Sequence, residues 1–489
     1  MFNFDLAGTS PISAHMFVDG IWHAGFGSEV SHVLNPATEG VIAITPRGTV
    51  EDARAALEAA RRAQISWCKV PPVERGRVVR KLGELVLARR ADFAQLITAE
   101  QGKPLDQALG EVGATAEFLF YAAENARRIE GDILASDNPN EEVHIRRFPY
   151  GVVVGLTAWN YPAALTARKL GPALVAGNAF VLLGHEITPL SGLFLAALSQ
   201  EAGLPNGLFN VVTGKGPEIG RALVEDPITA MITMTGSTRA GQEIFRSAAD
   251  GIKVLRLELG GKAPFIVMED ADIDAAVAAA VVARYTNCGQ ICTCNERMYL
   301  HRDIADEFLE KFVTQSAALT IGDPTQSPDM GPKVSREEVQ KVARLVDDAV
   351  AQGADVLLQG GALSDGDFAK GFWYAPTVLE VPNNASPIMR NEVFGPVVPA
   401  LRVDDFDHAL ALANDTSFGL SAYVFTQNHR RIMQTPYALK FGEIYLNRAN
   451  GEQVHAFHNG WGQSGLGGED GKHGFDGYLR KQSLYVNWA

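Results

Sequence analysis

With 489 residues, 46% of them hydrophobic and 20% charged, the chain is large enough to bury extensive cores in roughly three domains or fewer. Its 57 acidic and 43 basic side chains leave a net charge of −14, which argues against a general binder of nucleic acid or of anionic membranes. Four cysteines in so long a chain are not a disulfide framework; they point to a reducing, cytoplasmic location.

The N-terminal stretch M-F-N-F-D-L-A-G-T-S has neither a basic region nor an apolar core, so no secretion signal is expected. Residues 17–40 read as short strands and turns, F-V-D-G-I-W and then L-N-P-A-T-E-G. Residues 50–130 read as helices: A-R-A-A-L-E-A-A-R-R-A and R-K-L-G-E-L-V-L-A-R-R place apolar residues at helical spacing. Around 130–148, a turn-like D-N-P-N between two extended runs predicts a hairpin arm.

From residue 151 strands and helices alternate. V-V-V-G-L-T, A-F-V-L-L, L-F-N-V-V-T, A-M-I-T-M-T and K-V-L-R-L-E-L read as buried strands, a rhythm that predicts a parallel, doubly wound sheet. No G-x-G-x-x-G follows a strand, and G-K-G-P-E-I-G at 214–220 has the wrong spacing for that fingerprint. The apolar run 170–184 is too short to span a membrane and is broken by Pro172, Gly177 and Asn178. A second α/β region is expected over about 260–450, with helices after Asp303 and Ser335 and strands V-V-P-A-L-R-V and A-Y-V-F-T. The alternating tail Y-L-R-K-Q-S-L-Y-V-N-W is expected to offer an edge strand to a partner.

Three motifs carry chemistry. T-N-C-G-Q-I-C-T-C-N-E-R, 286–297, holds Cys288, Cys292 and Cys294. L-E-L-G-G-K-A-P, 257–264, sets Glu258 among apolar residues and glycines, and T-A-W-N-Y-P, 157–162, supplies Asn160. A thiol, a carboxylate and a side-chain amide are the parts needed to attack a carbonyl, hold the oxyanion and hydrolyse an acyl product. No second cysteine cluster completes a metal or iron–sulfur ligand set, so no metal is expected.

In their order and spacing these motifs resemble the NAD(P)-dependent aldehyde dehydrogenases over nearly the whole chain, and within that family the lactaldehyde/glycolaldehyde dehydrogenases. The closest likeness lies in N-R-A-N-G-E-Q-V-H-A-F-H-N-G-W-G-Q-S-G-L-G-G-E-D-G-K-H-G, 447–474. The resemblance implies a Rossmann-type cofactor domain (1–126 and 149–257), an α/β catalytic domain (258–455), a small β oligomerisation arm and tail (127–148 and 475–489), and a segment lining the substrate mouth (456–474). It implies a homodimer or homotetramer with no nucleic-acid or membrane partner.

It also implies roles. Cys292, in G-Q-I-C, is the nucleophile, with Cys288 and Cys294 as local alternatives. Asn160 holds the oxyanion, Lys169 organises the site, and Glu258, 34 positions before Cys292, activates water. A glutamate between two leucines has a plainer reading, pairing to Arg256. For the cofactor, Thr157, Trp159, Gly216, Gly236 and Ser237 line its path, Glu392 meets the nicotinamide ribose, Phe394 the ring, and Glu186 the adenosine ribose. A carboxylate there repels a 2′-phosphate, so NAD is expected over NADP. The chain departs from the family's K-P-S-E or K-P-A-E here: Leu183-Gly184-His185-Glu186 lacks the ribose-binding lysine, leaving NADP open and His185 as a substitute. Arg168, Tyr161, Glu452 and His458 are the substrate residues. They suit a 2-hydroxyl, or, through Arg168, the carboxylate of an acid semialdehyde; the plainer alternative pairs Arg168 with Glu452.

Overall fold

The computed structural model describes residues 10–489. The N-terminal stretch read as free of a secretion signal lies almost wholly outside them. Two sheets dominate. The first has eight strands in the order Gly465–Leu466, Val254–Glu258, Thr229–Thr235, Val152–Leu156, Ala179–Leu183, Phe209–Val212, Met16–Val18 and Ile21–His23. Its five central strands run parallel; short antiparallel strands close both edges. Val152–Leu156 and Ala179–Leu183 are buried throughout, which is why they read as unbroken apolar runs and not as alternations.

The helix Val50–Trp67 covers one face of this sheet. It starts at a capping box in which the Thr49 hydroxyl accepts the Asp52 N–H and the Asp52 carboxylate accepts the Thr49 N–H. Helices Pro72–Ala88, Leu105–Glu124 and Pro162–Ala176 pack on one another, and Pro162–Ala176 also packs on the sheet. That last helix ends at Gly177, whose φ of 99° makes the left-handed cap. Asn178 then accepts the Gly151 N–H and donates to the Tyr478 carbonyl. The Gly-Asn break in the apolar run is thus a turn that also ties down the chain's last segment.

The second sheet has seven strands: Asp355–Leu358, Thr377–Glu380, Val397–Val403, Asn295–His301, Ala263–Val267, Ser421–Phe425 and Glu443–Leu446, all pairing parallel except the first. The expected hairpin is present, Asp132–Ala135 against Glu141–Pro149. Leu479–Asn487 pairs over its whole length with Glu141–Pro149 of the same chain and forms an edge of the resulting three-stranded sheet. Among the described residues, no helix is long and apolar enough to cross a membrane.

One buried pair fixes the start of helix Pro162–Ala176. Lys103 donates to Glu111 and to the Asn160 carbonyl, 2.8 Å away, while Glu111 accepts the N–H groups of Ala163 (2.9 Å) and Ala164 (3.3 Å). Glu111→Ala leaves Lys103 as an unpaired buried cation and orphans both N–H groups. The expected cost is about 3–5 kcal/mol, read as a lowered midpoint in thermal or denaturant unfolding; an unshifted midpoint would show that the pair holds nothing together.

Candidate active site

The parallel strands of the first sheet end, with Leu156, Leu183 and Met234, on a cavity of about 1270 Å³. Strand order reverses beside Val152–Leu156. The chain runs out through Ala179–Leu183 and Phe209–Val212 on one side and returns through Thr229–Thr235 and Val254–Glu258 on the other. Crevices at such switch points take nucleotides in open α/β sheets. Gly236 and Ser237 open the helix Thr238–Ser247 at this point, the Ser237 hydroxyl accepting the Ala240 N–H. A helix N-terminus facing a cavity suits a pyrophosphate.

Thr157, Trp159, Glu186 and Gly216 stand on the same walls. Glu392 is held by the Gly261 N–H at 2.8 Å, and burial pushes its carboxyl up to about 7. Phe394, at φ 54°, meets Trp159 in a T-shaped contact with ring centroids 5.3 Å apart, and its carbonyl takes the Lys333 ammonium. This run from an acidic group through a helix N-terminus to an aromatic pair fits an extended dinucleotide. His185 is half-buried on the same wall, and burial pushes its imidazole down to about 4, so what it offers there is a neutral ring.

The other end of the cavity is built across both sheets. Asn287 and Cys288 adopt φ of 52° and 56°, and Gly289 follows at 72°, so the chain makes a tight left-handed turn before Cys292. The side chain of Asn287 donates to the Asn160 carbonyl at 3.1 Å, and that of Asn160 donates to the Gln290 carbonyl at 2.9 Å, lacing the two loops together. Gly261 lies so close beneath that a Cβ there would meet the Cys292 carbonyl oxygen at 2.4 Å, which explains the second glycine of L-E-L-G-G.

The three cysteines are now distinguishable. Cys288 and Cys294 are buried, and burial pushes their thiols up to about 11 and about 12. Cys292 is half-buried and lines the cavity. Burial raises its thiol too, with His458, within hydrogen-bonding reach, pulling the other way. Glu258 does not pair with Arg256, which donates instead to the Gly474 and Gly468 carbonyls. Neither Glu258 oxygen has a hydrogen-bond partner; its nearest cationic group is His458 Nε2 at 3.6 Å. Burial pushes Glu258 up to about 8.

At the mouth, Arg168 does not pair with Glu452. Its guanidinium grips Asp470, Nε at 3.0 Å from one oxygen and a terminal N–H at 2.5 Å from the other. Glu452 is exposed and takes the Thr293 hydroxyl at 3.2 Å. Lys169 is buried and donates to Glu469; despite burial, Lys169 and Arg168 hold Glu469 down at about 2. The Tyr161 ring lies under the Lys103 ammonium, 3.5 Å from its centroid. Glu443, Glu469 and Asp470 escaped the sequence reading. Glu469 and Asp470 stand in the 447–474 stretch beside better-marked residues, and Glu443 lies in a strand with no motif around it.

A family model described as the aldehyde dehydrogenase family matches residues 22–484. The chain belongs to this family. It is 45% identical to a 3,6-anhydro-alpha-L-galactose dehydrogenase of Vibrio sp. (strain EJY3), over 97% of this chain and 99% of that protein. It is 41% identical to a lactaldehyde dehydrogenase of Escherichia coli (strain K12), again over 97% and 99%. Among solved structures, a 3,6-anhydro-L-galactose dehydrogenase in complex with NAP superposes with a TM-score of 0.95 at 46% identity, covering 97% of this chain and all of that one. The chain is therefore an NAD(P)-dependent aldehyde dehydrogenase, with the fold and oxidoreductase activity of that superfamily.

The Arg168–Asp470 fork makes a direct prediction about this dehydrogenase. Asp470→Ala frees the guanidinium, so the ratio of kcat/KM for succinate semialdehyde to that for glycolaldehyde should rise by roughly tenfold or more, one charge-assisted contact being worth about 1.5–3 kcal/mol. An unchanged ratio would show that Arg168 does not face the substrate.

Proposed function

We propose that this aldehyde dehydrogenase oxidises a small, neutral aldehyde with a hydroxyl beside the carbonyl, such as lactaldehyde or glycolaldehyde, using NAD in preference to NADP. The closed Arg168–Asp470 fork carries this reading. An acid semialdehyde needs a free cation for its far carboxylate, and here the guanidinium is committed while Glu452 adds negative charge at the mouth. Hydroxyl groups can instead donate to Glu452 and exchange hydrogen bonds with Tyr161 and His458. The likeness to enzymes named for lactaldehyde and anhydrogalactose, both hydroxylated aldehydes, supports the same class. For the acceptor, Glu186 is the negative charge on the adenosine side, and neither Leu183 nor neutral His185 offsets it.

In this reading the Cys292 sulfur attacks the aldehyde carbon to give a thiohemiacetal. The second N–H of the Asn160 amide and the backbone N–H of Cys292 stabilise the oxygen as it gains charge. The bound nicotinamide supplies the acceptor for the hydride that leaves this carbon. The acyl group remains on Cys292 as a thioester. Glu258 takes a proton from water, the resulting hydroxide attacks the thioester, and the acid departs as the sulfur is released. Lys169 acts from behind, fixing Glu469 and with it the segment that carries His458.

The same proposal keeps 1–126 with 149–257 as the cofactor domain, 258–455 as the catalytic domain and 456–474 as the mouth segment, supported by one large sheet in each domain. It assigns the protein to the cytoplasm, supported by the four free cysteines. A homodimer or homotetramer is supported by the arm formed from 127–148 and 475–489, which exposes Ile133 and Tyr485.

A screen of lactaldehyde, glycolaldehyde, 3,6-anhydro-L-galactose and succinate semialdehyde with both cofactors, read as kcat/KM, tests the reading. Neutral hydroxyaldehydes with NAD should lead by at least roughly tenfold; a lead by the semialdehyde would overturn it.

Glu258 yields a second prediction. Its carboxylate form does the work, so kcat should rise with pH through about 8, where the carboxyl ionises, and then level off. Glu258→Gln should cut steady-state turnover by about 10² to 10⁴ while sparing an initial burst of cofactor reduction, with an acyl adduct on Cys292 visible by mass spectrometry. Loss of the burst with hydrolysis intact would remove Glu258 from the water step.

A further inference from the structure

Cys292 must lose its proton before it can attack, and burial opposes that loss. Glu258 is poorly suited to take it: the same burial keeps its carboxyl protonated up to about pH 8. His458 is better placed. It is buried, its Nδ1 lies 2.9 Å from a Glu443 carboxylate oxygen, and its ring stands within hydrogen-bonding reach of the Cys292 thiol. Glu443 comes from the last strand of the second sheet, and Tyr445 donates to its other oxygen at 2.9 Å, so the carboxylate is itself held in place. A nucleophile, a base and a carboxylate that orients the base form one chain of contacts.

We propose that His458 is the base and counter-ion of the nucleophile: with Nδ1 fixed on Glu443, Nε2 takes the Cys292 thiol proton, and the imidazolium holds the thiolate. This rests on the reading of Cys292 as the nucleophile. The proton balance is simple. The S–H bond breaks and an Nε2–H bond forms, giving thiolate and imidazolium. The sulfur's electron pair then makes the C–S bond as the carbonyl π pair moves to oxygen. The imidazolium keeps its proton through thioester formation. When the thioester is hydrolysed, the C–S pair returns to sulfur beside the same imidazolium, and the proton taken from water leaves by Glu258.

The charges around the ring favour this state. Glu443, Glu258, Glu452 and Asp470 surround it with carboxyl groups, against the one guanidinium of Arg168, and Cys292 completes the set. Burial works against an imidazolium, but Glu443 outweighs it, and His458 titrates well above the ordinary histidine range. Glu443 is correspondingly held below the usual carboxylate range, despite its own burial, by His458.

The test reads the thiol directly on the whole enzyme without cofactor. Iodoacetamide labelling of Cys292 is followed by peptide mass spectrometry from about pH 5.5 to about 9.5, with half-buried Cys68 as internal reference. Wild-type Cys292 should label faster near neutral pH than it does in the histidine variant. His458→Gln should slow labelling near neutral pH by roughly tenfold or more and recover it only at alkaline pH, with Glu443→Gln moving the profile the same way by less. A wild-type profile in His458→Gln would overturn the proposal. If that variant does not fold, Glu443→Gln decides, and an unmoved profile there overturns it. The two readings fail separately: an acyl adduct on another cysteine refutes the nucleophile itself, whereas an adduct on Cys292 with unmoved labelling refutes only the role of His458.

Discussion

Two adjacent cations on one buried helix hold the active site together from behind. Arg168 and Lys169 clamp Asp470 and Glu469, neighbours some 300 positions further along the chain. Such pairs return little net stability, because desolvating four charges offsets most of their attraction. Their value is positional: removing one partner strands a charge where water cannot reach it. Through this clamp the last segment is committed to the first sheet, adding Gly465–Leu466 to its edge beside Glu258. The same segment brings His458 to the cavity, and beyond it the chain continues into the arm strand.

The chemistry sits where the two sheets meet. Glu258 ends a strand of the first sheet, whereas Cys292 lies just before a strand of the second. Only four residues separate Glu258 from the second sheet's strand at Ala263, so its register is shared by both bodies. Gly261 between them allows the backbone to pass under the Cys292 loop, and Gly260 leaves room for Glu392. Dryness follows from this placement, and dryness is what raises Glu258 and Glu392 together.

Much of this was legible in the residues. Unbroken apolar runs, such as 152–156 and 179–183, announce strands covered on both faces, and the thiol, carboxylate and amide motifs announce carbonyl chemistry. Partnerships were harder to read. The plainer alternatives, Arg168 paired with Glu452 and Glu258 with Arg256, both fail, because both arginines turn to groups of the 468–474 stretch. A sequence fixes which charges must be buried, but their pairing depends on where a distant segment docks. Glu443 shows the same limit: in its strand it reads as one more alternating residue, and only the fold sets it behind His458.

The left-handed turn at Asn287, Cys288 and Gly289 bears on how the enzyme comes to be active at all. Two consecutive non-glycine residues in that region cost about 1–2 kcal/mol each in isolation. The contacts that offset this cost reach the turn from afar, from Gln107 and from the Asn160 loop. A nascent or partly unfolded chain has none of them, so its thiol is not yet poised. On the proposed reading of Cys292, the thiol therefore reaches its place in the cavity only once the two sheets have closed on each other.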